Sequence, residues 1–308
     1  MITIYFRHIR SEKLSQLTSP KAGSWLNVVN PSNTELDELA EHYHLDRSLL
    51  QDGLDPNESP RVEIEDGATY IYTRFCYSDD GRILTAPLLI VYGEQQLLTV
   101  AGRKFQRLAN LMDGRTPVVT TQKTKLLLQI LSEVRQSYAT QLNVISKTIL
   151  TIRSGLKKEQ IDNQDFVTFI DIEDTLNDFL SGLVPTSSIL RSLMSGRYFK
   201  LYEEDEDLIE DLSLGITELI ELTKSRLTTI VNIREAYSTI MANNLNKIFK
   251  RLTSITIMMT VPMIISSIYG MNVVLPFMHS PWAFAEVMSL TAVAMLVTYT
   301  IFRRNRWF

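Results

Sequence analysis

LTSITIMMTVPMIISSIYGMN (residues 252–272) and PWAFAEVMSLTAVAMLVTYTIF (residues 281–302) decide how this chain is read. No charged residue stands between Arg251 and Glu286, and Glu286 is the single charge in the second run. A bilayer's hydrocarbon core is about 30 Å thick and a helix rises about 1.5 Å per residue, so about 20 apolar residues cross it. Both runs reach that length. The link between them, Val273–Ser280, allows only a tight hairpin, so two C-terminal membrane spans are expected. Lys247, Lys250 and Arg251 precede the first run; Arg303, Arg304 and Arg306 follow the second, with Trp307 and Phe308 as interfacial anchors. The link holds no Lys or Arg. The positive-inside rule then puts both chain ends in the cytoplasm and the link outside. The competing reading, a helical hairpin buried in a soluble core, rarely uses apolar runs of this length.

Composition narrows the rest. The 308 residues carry 31 Lys and Arg against 35 Asp and Glu, a net charge of −4. With no basic stripe interleaved with aromatics, that balance argues against a nucleic-acid partner. Cys76 is the sole cysteine, which excludes an internal disulfide and fits a reducing compartment. The opening residues, from Met1 to Phe6, lack the basic and apolar regions of a signal peptide, so the spans themselves are expected to direct insertion.

Upstream of the spans, Met1–Phe6 and Ser24–Val29 read as short strands. Ser32 followed by Glu35 forms a capping-box pattern that opens a helix through Tyr43, and a second short helix follows near Asp46–Gln51. Arg61–Glu65, Ala68–Tyr77, Ile83–Tyr92 and Gln95–Val100 read as strands parted by turn residues such as Asp66-Gly67 and Asp80-Gly81, so a largely antiparallel sheet is expected. Lys104–Met112 reads as a basic helix. Beyond Thr121 the pattern turns helical: Lys123–Arg153 and Asp162–Met194 are long, with breaks expected near Ser154-Gly155 and Gly182–Pro185. From Ile216 to Val261 there is neither Gly nor Pro, and apolar residues recur in steps of three and four. A single helix from about Leu208 to Tyr269 follows, roughly 90 Å long. The expected division is an α/β domain at 1–122, a helical stalk at 123–250 and a transmembrane hairpin at 251–308.

Tyr269-Gly270-Met271-Asn272, at the outer end of the first of two C-terminal spans, fed by a long helix and preceded by an α/β module, resembles the CorA-type divalent-cation channels. Asp55–Glu63, with its Pro60-Arg61-Val62-Glu63, is similar to that family's entry into the central sheet. The resemblance implies a funnel-shaped homopentamer in the lipid bilayer that takes up Mg²⁺ down the membrane potential, with divalent cations as cargo. It implies a filter at Asn272 with Tyr269, Gly270 and Met271, and pore-facing positions at Asn246, Phe249, Leu252, Thr256, Thr260 and Met263. Thr253, Thr256, Thr260 and Ser267 independently form a small or polar stripe on an apolar span; such residues also pack between membrane helices. Gly270 permits close backbone approach where the helix ends. Tyr269 reads either as an interfacial anchor or as a brace for Asn272, and Phe249 either as part of a cytoplasmic gate or as stalk packing.

Seven of the nine residues 203–211 are acidic, and Asp171, Glu173, Asp174 and Asp178 form a second acidic set. The resemblance makes Asp205, Asp207 and Asp211 part of a regulatory Mg²⁺ site that closes the pore, with a partner residue as unplaced as Asp113; a solvated face is the alternative. The link lacks the acids that members often carry there, and His279 alone is not a metal site. Two further readings stay open: Zn²⁺, Co²⁺ or Ni²⁺ transport within the same family, and a membrane-anchored coiled-coil scaffold of another class. No catalytic motif or Gly-Lys-Ser/Thr phosphate loop is present, so an enzyme is not expected.

Overall fold

A computed structural model describes the chain except residues 12, 114–115, 158–162, 277–280, 306 and 308 and the side chains of 156–157 and 163–165. The readings of His279, Arg306 and Phe308, and of Asp162 as a helix start, lie outside the described residues. The chain forms two compact units, Met1–Ile233 and Arg234–Phe308.

The first unit is built on a seven-stranded sheet: β1 (Ile2–Phe6), β2 (Ser15–Leu17), β3 (Trp25–Val29), β4 (Val62–Glu65), β5 (Ala68–Asp79), β6 (Arg82–Tyr92) and β7 (Leu97–Ala101). Its order is β2-β1-β3-β7-β6-β5-β4, and every pairing is antiparallel except β3 with β7, where Leu26 sits opposite Leu98. Two hairpins turn on Asp-Gly pairs, Asp66-Gly67 at φ 50° and 77° and Asp80-Gly81 at φ 46° and 79°. Positive φ at both central residues is the geometry that matches strand twist. The expected antiparallel sheet is therefore present, with one strand, β2, that three residues gave no pattern to reveal.

Helices α1 (Asn33–Tyr43) and α2 (Arg47–Asp52) cover one face of the sheet. The capping box is formed: the Ser32 hydroxyl accepts the Glu35 N–H at 3.2 Å, and the Glu35 carboxylate accepts the Ser32 N–H at 2.8 Å. Leu36, Leu39 and Leu50 then bury against Leu26, Tyr70, Tyr72, Leu89 and Leu98. The other face meets the long helices α4 (Lys123–Lys157) and α5 (Asn163–Met194). With both faces covered, the centre of β5 is a continuous buried run rather than an alternating one. Ser137 on α4 accepts the Cys76 N–H at 3.0 Å, and Thr186 on α5 lies 3.3 Å from the Thr73 hydroxyl.

Three expectations are corrected. Lys104–Met112 is not one helix but a 3-10 turn at Gln106–Leu108 followed by the single-turn α3 (Ala109–Met112). Phe105, Leu108 and Leu111 are all buried, and a recurrence of three suits the tighter turn. Helix α4 runs through Ser154-Gly155, and α5 runs through Gly182 and Pro185. Gly182 is a notch: a Cβ there would collide with the buried Tyr138 hydroxyl of α4, whose ring meets Phe179 edge-on at 5.1 Å. The Thr186 hydroxyl donates to the Gly182 carbonyl at 2.7 Å, one turn around the proline. Helical hydrogen bonds on either side carry α5 past both breakers.

Helix α6 is continuous from Glu203 to Tyr269, 67 residues, and α7 spans Ala283–Arg304. The C-terminal part of α6 and all of α7 are long and apolar enough to cross a membrane. Their large side chains lie open: Leu252, Met259, Met263, Phe284 and Leu296 are each more than half exposed. Apolar surface on that scale needs lipid or other helices to cover it.

Candidate functional site

Helix α6 ends where the tetrad begins. Gly270 N–H reaches the Ser266 carbonyl at 3.0 Å and Met271 N–H the Ile268 carbonyl at 3.2 Å, which ends the ladder just short of Asn272. The Tyr269 hydroxyl donates to the Pro276 carbonyl at 3.4 Å, closing the turn that carries exposed Asn272. Gly270 is not in the left-handed region. A Cβ on it would meet the Ser266 and Ser267 carbonyl oxygens at 3.4 and 3.6 Å, ordinary contacts. Within one chain, a Cβ at Gly270 would therefore make only ordinary contacts.

Upstream, Asn246, Phe249, Thr253, Thr256, Thr260, Met263 and Ser267 follow one another in alternating steps of three and four. That is a heptad seam along one face of α6, with Leu252 at its border. All of these are exposed except Thr260, which is half-buried. The Thr256 hydroxyl donates to the Leu252 carbonyl at 2.9 Å and the Thr260 hydroxyl to the Thr256 carbonyl at 2.8 Å. Each proton is thus held by the helix, and the oxygen lone pairs remain as acceptors. The heptad spacing was visible in the sequence; the Pro276 carbonyl as acceptor for Tyr269 was not, because no motif marks it.

The acidic residues at the start of α6 divide. Asp205 is 5% exposed, and its carboxylate accepts the Tyr202 N–H at 3.3 Å, so it fixes the helix start. Asp207 and Asp211 are exposed, one turn apart. The helix dipole favours the four acids of the first turn, Glu203–Glu206, but its effect fades before Asp207 and Asp211. Glu204 pairs with Lys125 of α4 at 3.1 Å. Asp113 caps α3, and its charge helps raise the Tyr5 hydroxyl pKa, mainly a consequence of that ring's burial. Among the described residues no three His, Cys, Asp or Glu side chains gather closely enough to hold a metal ion.

The second motif, Pro60-Arg61-Val62-Glu63, is a structural hub. Arg61 pairs with Asp52 at 2.8 Å, with Glu63 at 2.5 Å and with Glu58, and its guanidinium lies 4.0 Å from the Tyr72 ring centre. Tyr72 in turn donates its hydroxyl to the Leu49 carbonyl at 2.8 Å, tying α2 to the sheet.

Comparison with known proteins agrees with this architecture. A family model described as "CorA-like Mg2+ transporter protein" matches residues 20–304. The cobalt/magnesium transport protein CorA of Methanocaldococcus jannaschii is 29% identical over 291 residues, covering 92% of this chain and 90% of that protein. The putative metal ion transporter YfjQ of Bacillus subtilis is 19% identical and covers 100% and 97% of the two chains. The complete structure of the CorA magnesium transporter from M. jannaschii superposes with a TM-score of 0.87 at 25% identity, covering 100% of this chain and 99% of that one. An α/β unit, a long helix and a C-terminal helix in this order, two candidate spans, and a family match over nearly the whole length leave one assignment: the chain belongs to the CorA-like Mg²⁺ transporter family and is a divalent-cation transporter.

Proposed function

We propose that five copies of this chain surround one axis as a Mg²⁺ channel, with the α6 seam lining the pore and Asn272, flanked by Tyr269, Gly270 and Met271, forming the filter. The observation that carries this is the heptad alternation of small and polar residues on an exposed span that ends in that tetrad. A strict seven-residue repeat favours parallel helices meeting along one seam. Gly270, which needs no special conformation within one chain, suits a place where copies or a hydrated ion come close.

The chemistry fits a hydrated cation. Mg²⁺ releases water reluctantly and prefers octahedral oxygen at about 2.0–2.1 Å. A ring of Asn272 amide oxygens accepts hydrogen bonds from the ion's own waters without stripping them. Carboxylates would hold the ion harder, and conduction requires release as well as capture. Along the seam, Thr256 and Thr260 present oxygen acceptors to the same waters. Phe249 and Leu252 narrow the cytoplasmic mouth with apolar surface that can dewet and close it. Two charges crossing about 100 mV release about 4.6 kcal/mol, enough to drive uptake without a nucleotide.

In this reading residues 1–122 and 123–250 form the cytoplasmic α/β and stalk domains, and 251–308 the hairpin, with both chain ends in the cytoplasm. Mg²⁺ bound by Asp207 and Asp211 against a neighbouring copy favours the closed pore, with Asp205 holding the helix start beneath them. Co²⁺ transport is a second reading, supported by the name of the M. jannaschii relative, which couples cobalt with magnesium. Flux into proteoliposomes under an inside-negative potential, with Mg²⁺, Co²⁺, Ni²⁺ and Zn²⁺ compared, tests it. Mg²⁺ entry that rises with the potential is expected. Entry of Co²⁺ or Zn²⁺ alone moves the assignment to the second reading, and no flux from folded protein returns the hairpin to a mere anchor.

A further inference from the structure

A crevice of about 490 Å³ opens between the end of β5, the segment after β7 and helix α4. Arg103, Lys104 and Arg107 line it together, in a chain whose net charge is −4. Its volume is in the range of about 300–1,000 Å³ that small-molecule sites occupy.

The state of these cations suggests an anion as occupant. Arg103 donates one N–H to Asp79 at 2.9 Å, and its guanidinium lies 5.0 Å from the Tyr77 ring centre. It is thus oriented, while that ion pair engages only one of a guanidinium's five N–H donors. Among the described residues Arg107 is held through Nε, to Glu133 at 2.9 Å, and Glu133 also accepts from Asn110 at 3.2 Å. Among the described residues Lys104 makes no ion pair. Three cations face two carboxylates, and two of the three are pre-oriented forks, the group best matched to phosphate oxygens. The aromatic faces are already engaged: Phe105 stacks on Phe75 at 4.3 Å, and Tyr77 lies under Arg103. Recognition therefore rests on the cations and on the phosphates they match.

We infer that this crevice binds a small diphosphate-bearing anion, read through its phosphates by Arg103, Lys104 and Arg107. Two sources share that chemistry, free pyrophosphate and a nucleoside diphosphate, and calorimetric titration of the full-length, detergent-solubilised protein separates them. EDTA removes divalent cations, so that no metal–phosphate complex contributes. Pyrophosphate and ADP are expected to bind saturably and with similar affinity, and adenosine not at all. Lys104→Gln, at an exposed side chain without an ion pair, is expected to weaken both about tenfold, and Arg103→Gln with it to weaken them further. Lys13→Gln, outside the crevice, leaves binding as it was. Absence of saturable binding by either diphosphate overturns the inference, as does binding unchanged in the double variant. Binding of ADP or adenosine without pyrophosphate overturns recognition through the phosphates.

Discussion

At the scale of single residues, the transport reading rests on Asn272. Its amide is a neutral oxygen donor group just beyond the end of α6, exposed in the structure, and in the proposed filter that oxygen meets the ion's waters. Asn272→Ala is expected to reduce Mg²⁺ flux to background while the protein still assembles, checked by proteoliposome uptake beside size-exclusion chromatography. The tetrad was legible in the sequence because its residue types and position carry the signal. What Asp205 does was not. In the sequence it is one acid among seven, and only three-dimensional burial shows that its carboxylate is committed to the Tyr202 N–H.

At the scale of elements, local chemistry was read well where it is self-contained. The Ser32 capping box needs only residues 32–35, and the Asp-Gly hairpins need only their two central positions. Ser32→Ala is expected to destabilise the first unit by about 1 kcal/mol, the usual worth of such a cap. Urea unfolding of residues 1–233, followed through Trp25, reads this directly, because that unit's only tryptophan is buried in the sheet. Where partners lie far away in sequence, local reading failed. Gly182 and Pro185 look like breakers, yet the glycine exists to admit Tyr138 from another helix. Gly182→Ala keeps helix propensity and still is expected to cost about 1–3 kcal/mol by overpacking. Adding Tyr138→Phe, which removes the hydroxyl it strikes, is expected to recover most of that in the same unfolding assay. The 3-10 turn at Gln106–Leu108 escaped for a related reason, since the turn packs on α4 and the adjacent Phe105 stacks on Phe75 of β5, both distant in sequence.

At the scale of the whole molecule, one continuous helix bears both the exposed acids Asp207 and Asp211 and, at its other end, Tyr269. If Mg²⁺ on those acids favours the closed pore, the paired change Asp207→Asn and Asp211→Asn leaves flux running at internal Mg²⁺ levels that shut the parent protein. Flux measured against internal Mg²⁺ checks this, and an unchanged dependence assigns the acids to helix solvation alone. The architecture as a whole was legible because bilayer thickness and helical rise constrain the apolar runs so tightly. Contacts between distant side chains, such as Gly182 against Tyr138, were not, because shape complementarity leaves no period in the sequence.

The parallel pairing of β3 with β7 has a consequence for how the protein is made. Residues 25–29 have no inner neighbour until residues 97–101 exist, so the three N-terminal strands, with β1 between β2 and β3, wait, edge open, for the β5–β6–β7 hairpins to be synthesised. The first uncharged run begins only at Leu252. At ribosomal rates of about 5–20 residues per second, the interval between the two is roughly 8–30 s. Mixed α/β sheets of this size close faster than that, on a scale of about milliseconds to seconds. The nascent chain can therefore present the insertion machinery with β3 already paired to β7, that inner edge withdrawn before the first greasy segment appears.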